Sequence, residues 1–503
     1  MLLAVTLAAL AAVSLRWRYE HDLPLMLYAS YLVGSLHWVP YRDYFDFNMP
    51  GTILAYRAIG WLSAYENLPI RLIDLSCLAS IASATYLSLR SLGRKPALLA
   101  ALIFPLQYLS LGPVYSLQRE FVLLVPLAWG LFATLGASRQ PVRLRSAIVG
   151  VAVGLCAGIK PHSALALPVL LGYLMLAPAP RTGRPPTRPE RAWIAGLGLL
   201  GFALPVGGLM CWLWAIGAWQ PFLDVLRHYL PLYASLTGWH KTIAGADRIH
   251  YLIAYGLCLG GSRWLIATGV VGLVSAVAGA TIPDARQRAG VGLLACLTLA
   301  FAVYPITSGQ FWVYQYLPFL LFGSALCSTL LAQNAGAASS VRSFVPVVLF
   351  SLYAATVLFG AQQPLRQSLA GQLPPPKDGR VDVMAGYLRG HVRPGDTVQP
   401  LDWTGGAVHA MLLTRSRLAT PFWWDFCFYH HVSQPYIQGL RQRFMAAFLA
   451  AKPRFVIRVT GAHKPWPSGA DTTREFAELD RALAADYVTD LTGNGFTILR
   501  RRE

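Results

Sequence analysis

The sequence predicts an α-helical polytopic membrane protein of about eleven transmembrane helices, followed by a small C-terminal α/β extramembrane domain. Three observations carry that expectation. Of 503 residues, 55% are hydrophobic and 13% charged, whereas soluble domains carry about 25% charged residues. Apolar runs recur as far as residue 361, and all the strongly basic connectors fall on one side when the runs alternate across a bilayer. From about residue 365 the uniform apolarity ends.

Residues 1–15 are apolar and are followed by Arg16 and Arg18, without the basic n-region or cleavage motif of a signal peptide, so they form the first span. Residues 23–37 are expected as an amphipathic helix lying on the membrane, and Pro40 and Pro50 punctuate the loop after it. A short apolar piece at 51–65 leads to a span at 69–89, which ends in R-S-L-G-R-K. That basic stretch is assigned to the cytoplasm and places the loop 16–68 outside. The remaining spans fall at 96–112, 121–137, 146–160, 163–178, 192–217, 264–281, 289–304, 311–332 and 344–361, with the long loop 218–250 also outside. Basic connectors at 138–145, 180–191 and 284–288 fall on the cytoplasmic side. The positive-inside rule thus accounts for most of the net charge of +19, and no nucleic-acid partner is called for. Seven cysteines stand singly with no C-x-x-C, which leaves zinc, iron–sulfur and a disulfide framework unsupported.

After the linker L-P-P-P-K-D-G, the tail is expected to hold a helix at 381–389, a strand entered at 393–398, a buried strand at 453–459, a helix at 473–486 and a last strand at 496–501. Two domains result, 1–364 in the membrane and 365–503 outside it.

Acidic residues are scarce, yet Glu20, Asp22, Asp43 and Asp46 crowd the first outer loop. Ionisable groups gathered at one surface of a membrane protein point to a site. Asp22 follows the first span directly; it is a candidate base, or an N-cap for the helix that begins L-P-L-M-L-Y. Glu20 is an alternative two residues away. Asp43 and Asp46 lie in P-Y-R-D-Y-F-D, either as catalytic acids or with Arg42 pairing Asp46 to staple the loop. Arg119 and Glu120 open a span at the same surface, as a phosphate-binding pair or an interfacial snorkelling pair. Lys160 in G-I-K-P-H-S is a second phosphate ligand, and His162 beside it a ligand or a structural histidine. Tyr314 and Gln315 in F-W-V-Y-Q-Y-L-P-F line a substrate or form an aromatic belt. Arg71 and Asp74 read as an ion pair. The run F-W-W-D-F-C-F-Y-H-H at 422–431 is a sugar platform or the surface that seats the tail on the membrane, and the second is favoured.

An acid just past the first span, about twenty residues of helix, then P-Y-R-D-Y-F-D and N-M-P-G, resembles the first external loop of GT-C-type glycosyltransferases. These polytopic enzymes use lipid-linked sugars and include protein O-mannosyltransferases and the lipid A aminoarabinose transferase. The order of elements in the tail resembles their external domain as well. The resemblance implies an inverting glycosyltransferase that moves a sugar from a polyprenyl-phosphate donor to a hydroxyl of a glycan, lipid or protein. It implies no metal or other cofactor, and a bacterial inner (plasma) membrane with the site on the periplasmic or extracellular side. Asp22 is where the resembling families place their catalytic acid, and Gln315 stands where they often carry a histidine. A transporter or flippase of envelope intermediates is the rival class; it would place its ionisable groups near the bilayer midplane.

Overall fold

The computed structural model describes residues 1–136, 139–178, 183–259, 285–334 and 341–503. Ten of the eleven predicted spans coincide with helices; the run 264–281 lies outside the described residues. Among the described residues, five helical stretches are long and apolar enough to cross a bilayer: Asn67–Leu89, Arg119–Gly136, Val142–Ile159, Arg188–Ala215 and Ala285–Ser308. Local chemistry sets their ends. Arg188–Ala215 begins at a capping box in which Thr187 and Glu190 bond reciprocally. Its partner Val142–Ile159 approaches so closely that a Cβ on Gly150 would stand 2.1 Å from the Gly198 carbonyl oxygen. Backbone contact of that kind is how helices associate where apolar side chains gain nothing over lipid.

Helix Leu23–Ser35 differs from its expected place on the membrane surface. Every residue from Leu23 to Val33 is buried, and the C-terminal part of the chain covers the helix. The Tyr28 hydroxyl donates to the Ser416 carbonyl (2.9 Å) and that of Tyr31 to the Arg415 carbonyl (3.0 Å). The sequence L-P-L-M-L-Y-A-S-Y-L-V-G-S has no charged face to leave in water, so burial on both sides satisfies it better than an interface.

The tail forms a five-stranded sheet. In chain order the strands are β1 (Thr397–Leu401), β2 (Arg417–Leu418), β3 (Phe455–Val459), β4 (Tyr487–Gly493) and β5 (Phe496–Arg501), arranged β2-β1-β3-β5-β4. β2, β1 and β3 run parallel, and β5 is antiparallel to both β3 and β4. Helices Arg380–His391, Ala407–Thr414, Pro435–Ala451 and Ala477–Asp486 accompany the sheet.

The tail is seated by the aromatic run, though on the first loop rather than on a membrane surface. Phe45 N–H donates to the Pro421 carbonyl (2.7 Å), and Trp423 Nε1 returns a bond to the Phe45 carbonyl (2.8 Å). Trp423, Trp424, Phe426 and Phe428 are all buried. A second clasp pairs Lys241–Thr242 in the loop 218–250 with Ser468–Gly469, in parallel.

Candidate active site

Where the first loop, the start of helix Arg119–Val122, the loop around 238–240, the segment 310–314 and the tail converge, they enclose a cavity of about 370 Å³, within the range of small-ligand sites, about 300–1,000 Å³. Asp22 lines it. The residue occupies the N-cap position of Leu23–Ser35, yet its side chain makes no cap bond. Its Oδ2 instead stands 4.0 Å from Arg119 Nη2, and its Oδ1 3.7 Å from His21 Nε2. The carboxylate is turned to the cavity rather than to its own helix.

Arg119 is aimed by a relay from the P-Y-R-D-Y-F-D-F-N loop. Buried Asp46 accepts from Asn48 N (3.0 Å) and Asn48 Nδ2 (2.7 Å), and Arg119 Nη1 donates to Asn48 Oδ1. The D-x-N pattern is an Asx turn just before Pro50, a signal legible in the sequence but not assigned a role there. Burial raises the Asp46 pKa, and the bonds from Asn48 oppose it. Arg119 Nε is buried without a hydrogen-bond partner among the described residues. Leaving a buried donor unmet costs about 1–3 kcal/mol or more, a cost that an anionic oxygen at the cavity would relieve.

Lys160 ends helix Val142–Ile159 and pairs with the fully buried Glu120, Nζ to Oε1 at 3.4 Å. Burial first, and the Arg119 charge second, hold the Lys160 pKa down to about 8. Tyr304 also donates to Glu120 (3.5 Å), and the His162 ring packs edge-on against Tyr304 at 5.7 Å. Asp22, Arg119 and Tyr314 line the cavity, and Glu120 and Lys160, coupled electrostatically to Asp22 and Arg119, stand behind them outside its lining.

The other candidates are not brought in. Asp43 binds Arg42 (2.8 Å) and accepts from Val39 N–H (2.7 Å) on the outer loop, so the ion pair there is Arg42–Asp43 rather than Arg42–Asp46. Those bonds from Arg42 hold the Asp43 carboxyl below its usual range. Glu20 does not line the cavity. Gln315 turns away from it, accepting from Trp312 N–H (3.1 Å) and donating to Ser308 Oγ (3.0 Å). Asn48, Tyr233, His240, Trp312 and Trp403 line the cavity without having been singled out in the sequence. Among the described residues, no three His, Cys, Asp or Glu side chains converge as a metal-ligand set.

No protein-family model matches the chain, and no curated protein matches it. Solved structures do. ArnT from Cupriavidus metallidurans bound to undecaprenyl phosphate aligns over 99% of this chain and 97% of that one, with a TM-score of 0.58 at 14% identity. The fold is the GT-C fold. The apo state of ArnT gives a TM-score of 0.59 at 13% identity over the same shares of the two chains. An Archaeoglobus fulgidus oligosaccharyltransferase tethered with an acceptor peptide aligns over 91% of this chain and 69% of that one, with a TM-score of 0.46 at 12% identity. Coverage by ArnT of nearly the whole chain means that the GT-C fold here includes both the helical part and the α/β tail, in a multi-pass membrane protein.

Proposed function

We propose that the chain is an inverting glycosyltransferase, taking a sugar from a polyprenyl-phosphate donor to an acceptor hydroxyl on the outer face of a bacterial inner membrane. One observation carries this reading: an uncapped carboxylate, Asp22, faces a buried arginine 4.0 Å away across one cavity. The solved ArnT of the same fold is bound to undecaprenyl phosphate, a lipid phosphate of the class proposed as carrier. In a single displacement the acceptor oxygen attacks the anomeric carbon as Asp22 takes its proton. The bond from that carbon to the phosphate oxygen breaks, the configuration inverts, and the lipid phosphate leaves. Arg119 and Lys160 neutralise the charge that develops on it. This reading gives 1–364 the chemistry and 365–503 the outer wall of the site, and it calls for no metal or cofactor. The rival transporter reading finds less support, because the charges gather with the tail at one end of the bundle.

The test is a transfer assay with purified protein and a panel of polyprenyl-phosphate sugars, run beside Asp22→Asn. Asparagine caps helices about as well as aspartate, and the Asp22 side chain makes no cap bond, so folding is expected to be unchanged. Turnover is expected to fall about 100- to 10,000-fold with donor binding kept. Wild-type turnover in Asp22→Asn would remove Asp22 as the base.

A further inference from the structure

Part of the cavity wall is aromatic rather than charged. Trp239, His240, Trp312 and Trp403 line it, with Thr404 beside them. The His240 ring is set among aromatic partners, with centroids 4.9 Å from Phe426, 5.2 Å from Trp403 and 6.0 Å from Trp312. His240 Nδ1 is buried without a hydrogen-bond partner among the described residues. Burial holds the His240 pKa down to about 4, so near neutral pH the ring is an uncharged hydrogen-bonding group. Trp239 is 66% exposed, although it belongs to this wall.

The backbone that presents the wall is strained on two facing segments. His240 (φ 57°) and Phe311 (φ 56°) both adopt left-handed conformations that bulky residues rarely take. Strain of this kind is retained where surrounding structure over-determines it, and it clusters at ligand sites. Gly238 lets the two segments meet: a Cβ there would stand 2.1 Å from the Gln310 carbonyl oxygen. Trp312 Nε1 then donates to the Gly238 carbonyl (3.0 Å) and fixes its indole.

Taking the transferase reading as its basis, we infer that this wall is the acceptor subsite and that the acceptor is a neutral carbohydrate. The C–H faces of a pyranose ring match flat indole surfaces, and a ring hydroxyl satisfies the orphan imidazole nitrogen. Arg119 is the one permanently cationic side chain lining the cavity among the described residues, and it belongs to the phosphate side. A phosphorylated acceptor would bring a second anion to a wall that offers it indoles and a neutral imidazole. The acceptor enters with its hydroxyl towards Asp22 and loses only a proton, so the wall takes no covalent part.

The experiment uses full-length purified protein in detergent. Neutral tetrasaccharides of glucose, mannose and galactose, the same sugars phosphorylated at one end, and a serine-containing peptide are titrated separately while tryptophan fluorescence is followed. Undecaprenyl phosphate binding is measured in parallel. At least one neutral tetrasaccharide is expected to saturate. Trp239→Ala and Trp403→Ala are each expected to weaken it about tenfold (1.4 kcal/mol), with Trp403→Phe in between and undecaprenyl phosphate binding unchanged. Trp239 is exposed, so its variant carries little folding risk. Saturation by the phosphorylated sugars or the peptide alone, by nothing in the panel, or with equal affinity in both alanine variants, overturns the inference. If wild-type protein fails to bind undecaprenyl phosphate, the transferase reading falls first; if it binds and the tetrasaccharides do not, only the acceptor assignment falls.

Discussion

Asn48 is the side chain through which the first loop reaches Arg119, and Asn48→Ala removes two bonds at once. Asp46 loses the Nδ2 donor at 2.7 Å, and Arg119 loses its acceptor. Asp46 Oδ2 and Arg119 Nε already lack partners among the described residues, so Asp46 is left with the backbone N–H of residue 48 and Arg119 with the ion pair to Asp22. A hydrogen bond to a charged group is worth about 1.5–3 kcal/mol. At 1.36 kcal/mol per factor of ten, the loss at Arg119 corresponds to about a 13- to 160-fold fall in kcat/KM for the donor. The fall should be shared between kcat and the donor KM, because Arg119 both holds the phosphate and meets the charge that develops on it, while the acceptor KM should hold because the acceptor wall is untouched. Transfer kinetics with donor and acceptor varied separately read this split, and thermal unfolding records the structural cost on its own. In an Arg119→Ala background the same substitution should cost far less, since the two residues act as one unit. An Asn48→Ala protein that unfolds at a lower temperature yet keeps kcat/KM for the donor within about twofold of wild type would refute the relay.

Three further expectations follow from the same geometry. Lys160 is charged below its pKa of about 8 and neutral above it, so kcat/KM for the donor should fall as pH rises from 7 to 9. In Lys160→Arg the fall should vanish, because arginine stays protonated to about pH 12; a flat wild-type profile would detach Lys160 from the phosphate. Asp43→Asn breaks only a half-exposed pair with Arg42 and one backbone bond, so stability should change by at most about 1 kcal/mol and turnover should stay near wild type. A dead Asp43→Asn would move the base into the P-Y-R-D-Y-F-D motif. Arg71→Ala strands Asp74, which is fully buried and otherwise held by Tyr108 at 2.6 Å; denaturation should report a loss of about 3–5 kcal/mol, whereas an unchanged midpoint would show the pair to be dispensable.

Hydropathy and basic connectors located the helices because each run of apolar residues reports on its own burial, without reference to distant partners. The same independence explains what was illegible. β2 is two residues long and β4 reads Y-V-T-D-L-T-G, so neither has the apolar run that exposed β3. Helix Leu23–Ser35 looked like a surface helix because nothing nearby in sequence announces its cover, the helix Ala407–Thr414 and the residues Arg415 and Ser416 that follow it. In the site, charges stood out against an apolar background, and this is how Asp22, Arg119 and Lys160 came to notice. Asp43 and Asp46 lie three residues apart in one motif, and only the turn at Asn48 sends one inward and leaves the other on the loop. His240 and Trp403 carry no local mark at all; the cavity that unites them joins segments about 160 residues apart.

The bond from Trp423 to Phe45 spans 378 residues, and that separation has a meaning in time as well as in space. At about 5–20 residues per second, the ribosome needs roughly 20–75 s to make the chain between them. Throughout that interval the first loop and helix Leu23–Ser35 have left the ribosome while the strands and aromatic run that enclose them do not yet exist. A chain interrupted between Arg119 and the tail carries Asp22 and Arg119 but lacks Trp403, Thr404, Trp423 and Pro465, the tail's share of the cavity. Completion of the site is therefore tied to completion of the polypeptide, and a truncated product inserted in the membrane holds the charged residues without the chamber that closes over them.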